Sequence, residues 1–174
     1  MTGVRMTDTN GLILVAGVGN IFLGDDAFGV EVAQRLAARA LPPNVRVVDF
    51  GIRSYDLAYA LMDPWELVIL VDAVPGGDEP GTVYLIEPEL PSGGEAPTDF
   101  GFDAHSMNPV AVLQLVNTLG GEMSRLMVVG CEPSTVDSDA DGETGLSKPV
   151  EAAVDEAIRM IDQLISEVSK AKAA

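Results

Sequence analysis

Three stretches of the chain, residues 12–16, 67–73 and 126–130, are apolar at nearly every position. Unbroken apolar character, as opposed to strict alternation, marks strands covered on both faces, as in parallel sheets. Residues 45–49 predict a fourth strand. Residues 82–87 follow the turn-forming run Gly76-Gly77-Asp78-Glu79-Pro80-Gly81 and are expected to return as a hairpin along an edge, antiparallel to the rest.

Helical spacing separates these strands. In residues 27–41, Val32, Leu36 and Ala40 share one face, Glu31, Gln34, Arg35 and Arg39 take the other, and Pro42-Pro43 stops the run. Residues 55–62 predict a short helix, and residues 110–119 another, with Asn108 and Pro109 as its cap and first turn. From Val150 onward, apolar residues from Ala153 to Val168 recur every three or four positions, and Ser147 and Pro149 mark the start. Strands alternating with helices imply a three-layer α/β/α sandwich. Its twisted, mostly parallel sheet should have about five strands, one of them an antiparallel edge strand. Ligands of such folds bind outside the carboxyl ends of the strands.

The length of 174 residues suits one domain, expected over residues 11–174 after a flexible segment, 1–10. The acidic excess, a net charge of -17, disfavours nucleic acid, whose backbone such a surface repels. A single cysteine, Cys131, cannot form an internal disulfide, and residues 1–10 lack the apolar core of a secretory signal. The longest apolar stretch, 12–23, is interrupted by Gly17, Gly19 and Asn20 and falls short of the roughly 20 residues that span a bilayer. A cytoplasmic protein without a membrane segment is expected. Residues 91–104, rich in Gly, Pro and Ser, form a connection long enough to be either functional or mobile.

The first strand runs into Gly17-Val18-Gly19-Asn20-Ile21-Phe22-Leu23-Gly24-Asp25-Asp26. The run is not a dinucleotide-binding GxGxxG turn, because Phe22 stands where the third glycine belongs and carboxylates at a helix start would repel a pyrophosphate. Asp25 and Asp26 have an ordinary reading as helix caps, although one cap accounts for only one of them. Asp72, at the end of the strand 67–73, reads singly as a turn aspartate before Pro75, and His105, the only histidine, as a surface residue near a helix start. Together Asp26, Asp72 and His105 converge on the carboxyl edge as an oxygen, oxygen and nitrogen set suited to nickel or zinc. Cys131 is a weak nucleophile candidate, since Glu132 beside it opposes thiolate formation.

Several of these motifs occur together in one known family. Gly17-Val18-Gly19-Asn20 with Asp25-Asp26 and Gly29-Val30, Asp49-Phe50-Gly51, Val71-Asp72-Ala73, His105, Gly130-Cys131-Glu132-Pro133 and Gly145-Leu146-Ser147 resemble, in order, the landmarks of the hydrogenase maturation endopeptidases. These peptidases trim the carboxyl terminus of the large subunit of nickel-iron hydrogenases after nickel insertion. The resemblance implies that Asp26, Asp72 and His105 bind a metal that stands for the nickel of the substrate. The first position, often glutamate in relatives, is aspartate here. It further implies that the partner is the large-subunit precursor, that nickel arrives with that substrate with no tightly bound cofactor, and that the protein acts as a monomer. Two mechanisms remain open: Asp26 or Asp72 as general base on water, or activation by the metal that the three residues hold. A noncatalytic nickel-dependent chaperone of the precursor is an alternative reading. A phosphoacceptor receiver domain is a weaker one, because the late strand ends in Gly130-Cys131-Glu132-Pro133 without a lysine.

Overall fold

The computed structural model describes residues 11–88, 116, 119–121, 125–134 and 145–173. Five strands, β1 (Ile13–Val18), β2 (Val45–Gly51), β3 (Leu67–Ala73), β4 (Val83–Ile86) and β5 (Leu126–Cys131), form one sheet in the order β2-β1-β3-β5-β4. All neighbours pair in parallel except β4, which runs antiparallel to β5 at the edge. The helices are α1 (Phe28–Ala37), α2 (Ser54–Leu61) and α3 (Lys148–Ala173). The expected helix over 110–119 falls almost wholly outside the described residues.

The unbroken apolar runs take the interior of the sheet, as their pattern demands: β1, β3 and β5 are buried at every position. Successive side chains point to opposite faces. Ile13, Val15, Leu67, Ile69, Val71, Met127 and Val129 pack against Phe28, Val32 and Leu36 of α1 and the apolar stripe of α3. Leu14, Ala16, Val68, Leu70 and Val128 pack against Leu57, Ala58 and Leu61 of α2 and against Trp65. Helices therefore cover both faces, giving the three-layer sandwich. Each fully buried large aliphatic or Phe side chain stabilises it by roughly 1.5–3 kcal/mol relative to exposure.

The pattern misreads two details. β4 does not form a hairpin with β3, because β5 lies between them. A strand buried throughout belongs inside the sheet, whereas β4, part-exposed along its length, can tolerate the edge. Helix α1 ends at Ala37, short of the expected residue 41. Residues 38–40 are exposed, so no packing holds a last turn against the restriction that Pro42 imposes on the residue before it.

What positions the site is the closeness of α1 to the sheet. A Cβ on Gly29 would stand 2.0 Å from the carbonyl oxygen of Val71 and 2.4 Å from that of Val18, so the first turn of α1 lies directly on the ends of β3 and β1. Only glycine fits there. On the other side of α1, Arg35 forms ion pairs with Glu31 and Glu151, and Arg39 pairs with Asp162 across to α3. These are exposed enough to contribute little each.

Gly29→Ala is therefore expected to destabilise the fold by about 2 kcal/mol or more, because the clash is with backbone atoms that cannot rotate away. A urea denaturation series checks this, and an unchanged midpoint would mean that α1 lies further from the sheet.

Candidate functional site

Immediately after β1 the chain turns through residues 19–23 into a single 3-10 turn, Gly24–Ala27, from which α1 continues. Gly19 has φ 139° and a Cβ there would lie 1.8 Å from the carbonyl oxygen of Asp26. The turn thus folds back on itself. Asp26 closes it, with Oδ2 accepting a 2.8 Å hydrogen bond from the amide of Asn20. Asp26 is half-buried. Burial raises its pKa above the ordinary 3.8, and the Asn20 hydrogen bond offsets part of that.

Asp72 is the penultimate residue of β3 and only 2% exposed. Its Oδ1 accepts a 2.8 Å hydrogen bond from the amide of Ala73, while Oδ2 is buried and has no hydrogen-bond partner among the described residues. Burial foremost, and then the negative charge of Asp26, push its pKa well above the ordinary 3.8, against the smaller opposing effect of the Ala73 amide. The two carboxylates thus act on one another at the carboxyl edge, where the close seat of α1 brings the turn after β1 over the end of β3. Two such groups titrate as a coupled pair. Their unsatisfied oxygen can accept a proton, a cation or a donor from a ligand.

Neither member of Asp25-Asp26 caps α1, whose N-cap position is Ala27 with no side-chain hydrogen bond. Asp25 is buried and reaches across to two later segments. Its Oδ2 accepts from the amide of Ser134 and the hydroxyl of Ser147, each at 2.8 Å, and its Oδ1 accepts from the amide of Ser147 at 2.6 Å. It therefore ties the turn after β1 to the segment after β5 and to the entrance of α3. The adjacent pair divides the work: Asp25 joins distant segments, while Asp26 closes its own turn.

A second buried carboxylate escaped the sequence reading as a structural element. Glu132 Oε2 accepts from the amides of Gly76 at 2.6 Å and Gly77 at 3.0 Å, and from the Tyr84 hydroxyl at 2.6 Å. Burial works to raise its pKa, but the Tyr84 hydroxyl and the amides of Gly76, Asp78 and Gly77 outweigh it and hold the carboxyl below its ordinary range. Glu132 thereby pins the loop that leaves β3 just after Asp72. The signal in the sequence was Gly76-Gly77, since an amide pair free of side chains is what a buried carboxylate can draw close to.

Cys131 is buried. Burial first, and then the charges of Asp25, Glu132 and Glu156, push its thiol up to about 12, which removes it as a nucleophile at neutral pH. His105 and the connection 91–104 lie outside the described residues. Among the described residues no three His, Cys, Asp or Glu side chains gather as a metal site, and Asp26 and Asp72 form a pair. No helix among the described residues is long and apolar enough to cross a membrane.

Comparison with known proteins identifies the family. The sequence profile of a family described as hydrogenase maturation protease matches residues 30–164. The chain belongs to that family. It is 30% identical over 152 residues to the hydrogenase 2 maturation protease of Escherichia coli, covering 86% of this chain and 87% of that protein. Over 155 residues it is 34% identical to the coenzyme F420 hydrogenase subunit delta of Methanothermobacter thermautotrophicus, covering 86% and 91%. Among solved structures, the hydrogenase maturating endopeptidase HybD from E. coli superposes with a TM-score of 0.72 at 28% identity, over 90% of this chain and 93% of that one. The family resemblance and the sandwich fold inferred from the sequence are thus both borne out, and the protein is a maturation peptidase by family.

Two stability measurements separate the neighbouring aspartates and test the buried one. Asp25→Ala is expected to cost about 2–4 kcal/mol, since it leaves the part-buried amides of Ser134 and Ser147 without their acceptor at roughly 1–2 kcal/mol each, while Asp26→Ala costs less. Equal losses in a denaturation assay would contradict the division of labour. For Asp72, the folded state holds its proton to higher pH than the unfolded chain does, so the native state loses relative stability as pH rises from the ordinary aspartate value toward the raised one. Asp72→Asn lacks that penalty. The variant's Tm relative to wild type is expected to climb as the pH rises from 4 toward 7. A difference in Tm that stays flat with pH would show that Asp72 is not a strained carboxylate.

Proposed function

We propose that this protein is the endopeptidase that removes a carboxyl-terminal peptide from the nickel-loaded large-subunit precursor of a nickel-iron hydrogenase. The observation that carries the reading is the Asp72 Oδ2, buried and unpartnered beside a second carboxylate. Stranding an acceptor in this way is costly unless a ligand completes it, and the partner that best relieves both the missing contact and the like-charge repulsion is a cation. Nickel carried by the precursor supplies it. Asp26 and Asp72 provide the oxygens, and His105 is the third ligand, giving the mixed donor set that nickel accepts.

The metal in this reading belongs to the substrate and acts as a checkpoint: the precursor seats productively only when its nickel reaches the two carboxylates. Their raised pKa values support an aspartic-type route for the cleavage itself. A carboxylate whose proton affinity lies nearer neutrality is a better general base toward water, and burial together with the neighbouring charge supplies that shift here. The water adds to the scissile carbonyl while one carboxylate takes its proton, and the proton is then delivered to the departing amine. The fold, with Asp25 and Glu132 holding the segments on either side, keeps the pair in place for this step. The protein is expected to work in the cytoplasm, as a monomer, with no tightly bound cofactor of its own.

Incubation of the purified protein with nickel-loaded precursor should give a large subunit shortened by its tail, read by mass spectrometry, while nickel-free precursor stays intact. Asp26→Asn, Asp72→Asn and His105→Ala should each remain folded by circular dichroism and lower the rate by about 100-fold or more, the scale of a lost acid or base. Cys131→Ala should keep its activity. Tight binding with an intact tail would replace the peptidase by a chaperone, and wild-type rates in all three site variants would remove the site.

A further inference from the structure

Seven of the nine large hydrophobic side chains that are exposed among the described residues fall in two stretches, 21–23 and 52–62. Phe22 is 83% exposed, Tyr55 70%, Ile52 65% and Tyr59 64%. The two stretches leave neighbouring strands at the same edge of the sheet. The amide of Gly19 donates a 3.0 Å hydrogen bond to the carbonyl oxygen of Gly51, so the connections start side by side. Helix α2 is apolar on both sides: Leu57, Ala58 and Leu61 are buried on the sheet, while Tyr55, Tyr59 and Met62, spaced by four and three residues, face outward. A surface helix ordinarily turns polar residues that way. In a chain of net charge -17, an apolar concentration of this kind marks a contact surface.

We infer that Ile21, Phe22, Leu23, Ile52, Tyr55 and Tyr59 form the docking surface for the folded body of the precursor, as distinct from its tail. The inference rests on the function proposed above. Its occupant follows from continuity with the site: Phe22 and Asp26 lie on one turn, and Asp26 fixes the shape of that turn through the amide of Asn20. A peptide bond that reaches Asp26 brings the protein attached to it over Phe22. From there the apolar strip runs along Ile52 and the outer face of α2, and what covers it is an apolar patch of the precursor next to its cleavage point. Aromatic side chains at the middle of such a surface carry a large share of binding energy, whereas the exposed Arg53–Asp56 pair at 3.3 Å lies among them as a polar contact of small weight.

The test is the triple variant Phe22→Ser, Ile52→Ser, Tyr59→Ser, whose folding is compared with wild type by circular dichroism and Tm. These side chains are exposed, so little change is expected. Initial rates of tail removal are then measured across a range of nickel-loaded precursor concentrations. The variant is expected to raise KM at least tenfold with kcat within about twofold, and the same change made on an Asp72→Asn background to weaken precursor binding by a similar factor in surface plasmon resonance. An unchanged KM with an active wild type overturns the docking surface and leaves the peptidase reading intact. So does a fall in kcat at constant KM, which would move these residues into the reaction itself. If sedimentation shows a wild-type dimer that the triple variant dissolves while KM is unchanged, the strip joins two copies of this chain and the inference is wrong. Absence of cleavage by the wild-type protein overturns the function and the docking surface together.

Discussion

The seat of α1 on the sheet is the constraint from which the site follows. Gly29 lies against the carbonyl oxygens of Val71 and Val18, at the ends of the two central strands, and any side chain there would lever the helix outward. Because the helix starts so close, the turn that precedes it has to fold back within a few residues of Val18, and Gly19 permits that return. The fold-back delivers Asp26 to the end of β3, where Asp72 already stands. Two carboxylates that electrostatics would keep apart are held together by backbone contacts that leave no room to separate.

That juxtaposition has a cost, and the carboxylates around it differ in how they meet it. Asp25 and Glu132 are also buried, but each is surrounded by amide or hydroxyl donors. Both therefore tie together segments that β1, β3 and β5 send out at the same edge. Asp72 has one amide, and its other oxygen has no partner among the described residues. Packing of the sandwich offsets what this carboxylate costs, for it is apolar on both sheet faces. Satisfied carboxylates build the frame, and Asp72 is the one set apart from it.

Much of the fold was legible because burial on two faces leaves a simple trace. A continuous apolar run such as 67–73 has one comfortable position, inside a parallel sheet, and β3 spans those residues. The place of β4 was less legible, since a strand's neighbour in space is decided by which strand most needs covering, and β5 outranked it. The site was partly legible: a carboxylate at the end of an apolar strand stands out, as Asp72 does. The opposite duties of Asp25 and Asp26 could not be read from adjacent identical residues. They depend on partners, Ser134 and Ser147, more than 100 residues away in sequence. Glu132 was seen only as a neighbour of Cys131, while its donors come from the loop after β3.

Asp26 and Asp72 sit at the rim of the sheet, with the satisfied carboxylates Asp25 and Glu132 around them. Asp72 stands where the parallel ladder to β1 has ended, at Val71, while that to β5 continues through Ala73. A position one residue earlier points to the opposite face, where Val71 packs in the core beneath α1 and α3, and the next residues out, Ala73 and Val74, are again buried and apolar. At this position burial raises the proton affinity of Asp72. Asp26 adds the charge that makes a proton or a cation welcome there. A carboxylate satisfied by its own protein, as Asp25 and Glu132 are, has no such imbalance.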